Sequence, residues 1–370
     1  MLNFSQLVAL EHSLRGTRVL SVYLDGTASD PAQQRAWRVQ LDHSLDDLRV
    51  WLKESPHAER EDFEQCVRLL DHELEAFTGN VRAHGWAAFI TADRVREASL
   101  LPVPMPTQAV WSTGMSIAPY VRALKENRPV AVVLVDAKRA DVHRYHLGKL
   151  ERIETLHAHH TVMQPSHMGD APRSGFHSGT RGATGHDEAQ ESMLAGTNRM
   201  LADAAERAMD VAGADGWIVT GGIPKVGRQL AERLSPRAPE RVLNVESLDI
   251  HASEADLAEV ARVGASTLRN AMDAARIAEI ADSGGATGLG AMGPAATRET
   301  LEQLRVRDLY LTHHYLENHA AEAEYAVRSA IDQGAMVEEV SGAAAAQLDA
   351  HGGMAARLRY RVANNNSATP

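Results

Sequence analysis

The chain has 370 residues, and at about 100–200 residues per domain this length favours two or three domains. Its 38 lysines and arginines against 49 aspartates and glutamates give a net charge of −11, which excludes a protein that coats nucleic acid by bulk positive charge. Any contact with RNA must therefore be local. The single cysteine, Cys66, excludes an intrachain disulfide and a cysteine-based zinc finger.

The N-terminal sequence MLNFSQLVALEHSLRG carries acidic and polar residues within its apolar stretch and has no small-residue cleavage site. We therefore expect no signal peptide. No apolar run approaches the ~20 residues that are needed to cross a bilayer. These features predict a cytoplasmic protein that has neither a membrane nor DNA as a partner.

The first third of the sequence predicts a mixed α/β domain. A β-branched run closed by Asp25-Gly26 predicts a strand, and apolar residues at helical spacing predict helices. The three prolines within residues 101–106 exclude a central strand there. Asn127-Arg128-Pro129 predicts a domain boundary. The predicted elements are strands at 18–24 and 85–91 and helices at 31–54, 58–77 and 116–125.

The middle third predicts a three-stranded meander followed by a long loop. Val130–Val135 is a continuous apolar run that is typical of a buried strand. The polar stretch 157–186 is rich in His, Gly, Ser and Pro, and a loop of this length is usually functional or disordered. The other predicted elements are strands at 141–147, 150–156, 216–220 and 241–245 and helices at 187–212 and 224–234.

The final third predicts helices around a further sheet. Ser253 and Asp256 form a pattern like a capping box, and Pro294 suits the first position of a helix. The predicted elements are helices at 253–281, 294–304, 319–333 and 343–350 and strands at 308–312, 336–340 and 355–362. The fold class is therefore α/β, with three mixed α/β domains at 1–128, 129–252 and 253–370.

Two glycine motifs each allow two interpretations. Gly288, Gly290 and Gly293 match the dinucleotide pattern, but a long helix precedes them, so a helix-to-helix connection is favoured over a cofactor site. Thr220-Gly221-Gly222 lies between a predicted strand and a predicted helix. The amides at that helix start could hold a phosphate, but an ordinary tight turn is the favoured interpretation.

Polar residues elsewhere give weaker signals. The histidines of the long loop could bind a metal, but their spacing matches no recognised site. Asp136 follows a buried strand, where a carboxylate could hold a catalytic metal or simply stabilise a hairpin turn. We find no nucleophile motif, and Cys66 lies on an apolar helix face. The sequence thus assigns no catalytic residue, no metal ligand and no cofactor.

Three segments together carry a family resemblance. The run VAVVLVDAKRADVHRYHLGKLERIETL, followed by the long loop and a helix, resembles the central domain of class-I peptide-release factors and Pelota. The segments GPAATRETLEQLRVRDLYLT and HGGMAARLRY resemble the beginning and the last strand of their C-terminal domain. The arrangement is similar to the bacterial branch of this family, which includes the Balon-like ribosome hibernation factors.

The resemblance implies a fold. It covers roughly residues 128–362, because the N-terminal domain does not look like the stop-codon-reading domain. It implies a ribonuclease-H-like middle domain. It also implies a C-terminal domain similar to the kink-turn-binding ribosomal protein fold.

The same resemblance implies a function for the loop. In release factors the tip of this loop carries Gly-Gly-Gln, which positions the hydrolytic water in the peptidyl-transferase centre. Here the nearest match to the tip is Gly179, Thr180, Arg181 and Gly182, and no Gln follows the glycines. The resemblance therefore implies ribosome binding, and the missing Gln argues against hydrolysis of peptidyl-tRNA.

The loop also has local cationic or protonatable character on an acidic protein. Arginine side chains and backbone amides suit contacts with phosphates and 2′-hydroxyls of folded RNA. A loop that is merely solvated is the alternative. The predicted rRNA-binding residues are Arg173, His177, Gly179, Thr180, Arg181, Gly182 and His186.

The leading hypothesis is a non-catalytic factor that occupies the aminoacyl-tRNA site and acts in hibernation, protection or rescue. Its partners would be the rRNA of that site and of the peptidyl-transferase centre, with a translation GTPase as a candidate second partner. One alternative is a peptidyl-tRNA hydrolase or release factor with an altered loop. The other is a stress-linked protein-binding module.

Overall fold

The computed structural model describes residues 1–27, 36–76, 84–159, 181–286 and 288–361. The chain forms two compact units. Unit 1 comprises Met1–Asn127 and Met272–Pro370, and unit 2 comprises Arg128–Ala271. The described residues contain three sheets, so the predicted mixed α/β fold class is confirmed. The division into three domains stays a prediction.

The N-terminal part of unit 1 is built on a four-stranded antiparallel sheet in the order β3-β2-β1-β4. Strand β1 is buried on both faces: Leu20 and Val22 pack with the helices α2 and α3, whereas Val19 and Tyr23 face a second core. The elements are α1 (Phe4–Leu14), β1 (Arg18–Asp25), α2 (Ala36–Trp51), a 3-10 turn (Leu52–Glu54), α3 (His57–Leu74), β2 (Gly85–Thr91), β3 (Arg94–Leu101), β4 (Gln108–Thr113) and α4 (Tyr120–Glu126).

Unit 2 is built on a five-stranded sheet in the order β7-β6-β5-β8-β9. The first three strands pair antiparallel, and β8 and β9 continue parallel to β5, which is the ribonuclease-H-like arrangement implied by the resemblance. One sheet face packs on helices α5 and α6. The elements are β5 (Val130–Val135), β6 (Arg139–His146), β7 (Lys149–His157), α5 (Arg181–Ala212), β8 (Trp217–Gly222), α6 (Pro224–Leu234) and β9 (Val242–Asn244).

The C-terminal part of the chain holds a four-stranded mixed sheet in the order β10-β13-β11-β12. Leu309 and Leu311 of β11 face the core that includes Val19 and Tyr23, and Tyr310 between them faces a smaller core under α11. The elements are α7 (Glu254–Ala286), β10 (Gly290–Met292), α8 (Pro294–Glu302), β11 (Val306–Thr312), α9 (His313–Asn318), α10 (Ala320–Asp332), β12 (Met336–Val340), α11 (Gly342–Asp349) and β13 (Met354–Leu358).

The start of α7 confirms the predicted cap. The Ser253 Oγ accepts from the Asp256 amide at 3.2 Å, and the Asp256 carboxylate accepts from the Ser253 amide at 3.2 Å. The glycine-rich stretch after α7 is more than a connection, because Gly290–Met292 forms an edge strand that pairs antiparallel with β13. Among the described residues, no helix is long and apolar enough to cross a membrane.

Candidate functional site

The predicted RNA-binding residues fall at the edge of what the structure describes. Arg173, His177, Gly179 and Thr180 lie outside the described residues. Arg181, Gly182 and His186 lie in the first two turns of α5, where the structure describes the backbone but not the side chains. The prediction that a loop extends to residue 186 is therefore wrong at its end, because the helix begins at Arg181 rather than at Asp187.

The end of β7 and the middle of α5 both contact the turn between β5 and β6. After β7, the Ala158 amide donates to the Lys138 carbonyl at 2.8 Å. On α5, the Thr197 hydroxyl donates to the Ala137 carbonyl at 2.7 Å. An ion pair of 2.9 Å between Arg207 of α5 and Glu154 of β7 adds a third connection. These contacts hold the end of β7 and the middle of α5 at one edge of the sheet.

Asp136 stabilises the same turn between β5 and β6. Its Oδ1 accepts from the amides of Lys138 at 2.6 Å and Arg139 at 2.7 Å. A carboxylate that accepts two backbone donors stabilises the turn locally. The hairpin interpretation of Asp136 is confirmed.

A buried polar pair on β6 was missed by the sequence analysis. Asp141 is 2% exposed and His143 is 3% exposed, and both lie on the sheet face opposite α5. Burial raises the pKa of Asp141, but hydrogen bonds from Arg139 and Thr155 outweigh it, so the pKa lies below its usual range. Asp141 is therefore ionised at neutral pH.

His143 takes a different protonation state beside it. Burial, and then the nearby Arg152, lower the pKa of His143 below its ordinary value, so the ring is neutral at pH 7. Arg152 Nε lies 3.4 Å from His143 Nε2. Because Asp141 is held by Arg139 and Thr155, we interpret this pair as part of the folded core rather than as an acid–base pair.

The turn at Thr220-Gly221-Gly222 uses two of its backbone amides within the protein. The Gly222 amide donates to the Leu248 carbonyl at 2.8 Å, and the Ile223 amide donates to the Val135 carbonyl at 2.9 Å. Pro224, the first residue of α6, has no amide hydrogen. The Gly222 and Ile223 amides are thus already used within the protein, which favours the interpretation of a tight turn.

Within the described part of the chain, one group of side chains has the spacing of a metal site: Glu11, His12 and Asp332. A guanidinium already occupies it. Arg15 lies 3.1 Å from the Glu11 carboxylate and also pairs with Asp332. The group is therefore an ion-pair cluster.

Cys66 is inert packing, as predicted. Its side chain is buried, and its Sγ lies 3.7 Å from the Ile90 carbonyl oxygen. Burial raises the pKa of the thiol to about 12, so the nucleophilic thiolate is absent at neutral pH.

The comparison with protein families identifies the middle of the chain. Residues 116–266 match the model of bacterial archaeo-eukaryotic release factor family 10. The match contains all strands of unit 2 and the segment between β7 and α5. This match confirms, for this part of the chain, the predicted resemblance to the bacterial branch of the release-factor family. No curated protein matches the chain.

Several solved structures are similar at low identity. Pelota from Archaeoglobus fulgidus is 14% identical over 75% of this chain and 80% of that chain, with a TM-score of 0.35. Dom34 from S. cerevisiae, a translation termination-like factor that interacts with Hbs1, is 12% identical over 65% of this chain and 66% of that chain, with a TM-score of 0.40. A chain in the ribosome-bound model of archaeal Pelota and ABCE1 is 14% identical over 98% of this chain and 96% of that chain, with a TM-score of 0.43.

Proposed function

We propose that the chain is a ribosome-binding factor that enters the aminoacyl-tRNA site and acts in hibernation, protection or rescue without hydrolysing peptidyl-tRNA. The main support is the family match over residues 116–266, which includes the segment between β7 and α5. In release factors the corresponding segment reaches the peptidyl-transferase centre. The hydrogen bond of Ala158 anchors the beginning of this segment to the turn between β5 and β6, which suits a segment that starts from a rigid sheet edge.

The partners follow from the same proposal. The rRNA of the aminoacyl-tRNA site and of the peptidyl-transferase centre would contact the segment, and a translation GTPase is the candidate second partner. The net charge of −11 limits binding to RNA elsewhere. Recognition would rest on a few arginines and backbone amides that fit folded RNA.

Loop arginines provide the first test. Replacing both Arg173 and Arg181 with Ala is expected to weaken co-sedimentation with ribosomes and to leave the free energy of unfolding within ~0.5 kcal/mol. Arg181 begins α5, where a cation opposes the helix dipole, so its loss should not destabilise the helix.

The matched control removes two arginines elsewhere in unit 2. Arg233 and Arg237 are both exposed, so their double replacement with Ala changes the net charge equally. Ribosome binding that falls equally in both double variants would mean that bulk charge, not the segment, makes the contact. A large loss of stability in the first variant would mean that the arginines are structural.

The absence of hydrolysis provides the second test. Thr180 and Arg181 stand where release factors place Gly and Gln. A branched Thr stiffens the backbone, and Arg has no acceptor with which to hold a water. Losing one group that stabilises such a transition state costs on the order of 10²–10³ in rate. We expect no release of labelled peptide from stalled ribosomes above the rate without factor.

The runner-up function, an altered hydrolase, predicts the opposite result. His177 and His186 are the candidate bases, because imidazole titrates near neutrality. Single-turnover release should therefore be compared for the native chain, His177→Ala and His186→Ala. Release well above the control that disappears in either variant would replace the non-catalytic assignment.

A further inference from the structure

Unit 1 contains a cavity of about 760 Å³ that no step of the proposed function uses. It lies between the β3–β4 connection, the beginning of α4 and the helices α9 and α10. Its volume falls in the range of roughly 300–1,000 Å³ that is typical of small-molecule sites. The apolar part of the wall is formed by Pro104, Met105, Pro106, Val110, Leu316 and Tyr325.

A carboxylate with an unused acceptor lies on the wall of this cavity. Glu339 of β12 is 8% exposed, and its Oε2 accepts no hydrogen bond from any residue that the structure describes. Arg122 Nε lies 3.7 Å from Oε1, and His313 Nδ1 lies 4.0 Å from Oε2. Both distances are too long for a hydrogen bond, so Oε2 lacks a close donor and Oε1 has only the ion pair with Arg122.

A second carboxylate on the wall, unlike Glu339, already has close hydrogen-bond donors. Glu324 of α10 accepts from the amides of Ile117 at 2.9 Å and Ala118 at 2.9 Å. Arg328 donates to Glu324 at 2.8 Å and to the Thr113 carbonyl at 3.0 Å. This pair holds the segment before α4 against α10 and has little left to offer a ligand. Glu339 is therefore the acceptor that a ligand would satisfy.

We propose that this cavity binds a small organic cation. Its amine, amidine or guanidine head would donate to Glu339, and its apolar body would lie against Met105 and Leu316. The head gains a charge-assisted hydrogen bond in a buried place, where such bonds are strongest. The body removes apolar surface from water, which contributes about 25 cal/mol per Å².

Charges of both signs surround Glu339, and a cationic head would approach it on the side away from Arg122. Arg122 and Lys125 of α4 attract the carboxylate, whereas Glu126 of α4 and Glu317 of α9 repel it. Lys125 is already held by Asp273. The Glu317 carboxylate lies 3.0 Å from His313 Nε2 and adds negative charge at the same end of the cavity.

His313 completes the set of titratable groups that face Glu339. Burial, and then Arg122, lower the pKa of His313, so the ring is neutral at pH 7 and does not repel a cation. Deprotonation of His313 as the pH rises removes positive charge beside Glu339. Like ionisation of Glu339, it therefore favours binding of a cation.

The same geometry couples binding to pH. Burial raises the pKa of Glu339 to about 7, so this carboxyl is partly protonated near neutrality. A bound cation stabilises the ionised form and must release the proton. Affinity should therefore rise several-fold between pH 6 and pH 8, with proton uptake by the buffer.

Three ring compounds that differ only in the head group test the proposal on the full chain by titration calorimetry. Benzamidine is cationic, benzamide is a neutral donor and benzoate is an anion. We expect benzamidine to bind best and benzoate worst. Glu339→Gln should weaken benzamidine at least tenfold, remove most of its pH dependence and leave benzamide almost unchanged.

Two further variants serve as controls, one outside the cavity and one that blocks it. Glu302→Gln changes an exposed acid on α8 outside the cavity and should bind like the native chain. Ala321→Trp places a large ring at an exposed position on the cavity wall and should block all three compounds without disturbing the core. No preference for benzamidine, or native affinity in Glu339→Gln, would overturn the proposal. The assay needs no ribosome, so its outcome is independent of the proposed function.

Discussion

Replacing Lys125 with Met is expected to lower the free energy of unfolding of unit 1 by about 3–5 kcal/mol, as for other buried ion pairs that lose one partner. Lys125 is 5% exposed and Asp273 is fully buried, and their side chains are hydrogen-bonded. The Lys125 ammonium also donates to the Glu339 carbonyl at 2.9 Å. The variant leaves the Asp273 charge buried, with Ser341 as its remaining hydrogen-bond donor among the residues described.

Two control variants separate the buried charge from other effects. Adding Asp273→Asn removes the orphaned charge but keeps an acceptor for Ser341, so the double variant should recover part of the loss. Arg38→Ala removes an exposed partner of Asp71 and should cost at most about 1 kcal/mol. Urea unfolding followed by tryptophan fluorescence reads unit 1, which holds every tryptophan except Trp217. Equal losses for Lys125→Met and Arg38→Ala would contradict this account.

Replacing Gly222 with Ala is expected to destabilise unit 2 by about 2–5 kcal/mol, which adds the cost of a left-handed backbone to that of overpacking. Gly222 ends β8 with φ of +100°. A Cβ there would lie 2.2 Å from the Val135 carbonyl oxygen and 2.7 Å from its nitrogen. Backbone atoms of β5 cannot move aside without breaking the parallel pairing of β5 and β8.

Gly213 provides the matched control for that substitution. Its φ is +65°, but a Cβ there would meet no atom within 4 Å. Gly213→Ala should therefore cost only the left-handed backbone, about 1–2 kcal/mol. Hydrogen exchange of peptides that cover β8 and α6 measures both variants. Similar loss of protection in the two would show that the close contact with Val135 does not control the stability of this strand end.

Continuous apolar strands were the most predictable part of the fold. VAVVLV and GWAAFIT are buried along their whole length, and both were predicted with the bounds that the structure shows. Strand β3 was missed because its sequence, RVREASLL, carries charges on a half-exposed edge strand. The start of α5 was placed six residues too late, because its first turns contain Gly182 and Gly185, which weaken the helical signal.

The candidate sites were predictable only where the chain itself carries a pattern. The tip residues could be named from the resemblance, because Thr180 and Arg181 stand beside glycines at a recognisable place. Glu339 could not be found, because MVEEV gives no sign of which glutamate is buried. Glu339 lies on β12, and its burial depends on packing against α4 and α9, which are separate elements of the chain. A buried acceptor without a donor is therefore a property of the tertiary structure alone.

The most direct measurement of the central claim is a cryo-EM map of ribosomes incubated with the full chain and, separately, with the Arg173→Ala, Arg181→Ala variant. We expect density for the chain in the aminoacyl-tRNA site, with residues 157–186 directed toward the peptidyl-transferase centre, and lower occupancy for the variant. Density at another ribosomal site, or equal occupancy of native chain and variant, would contradict the account.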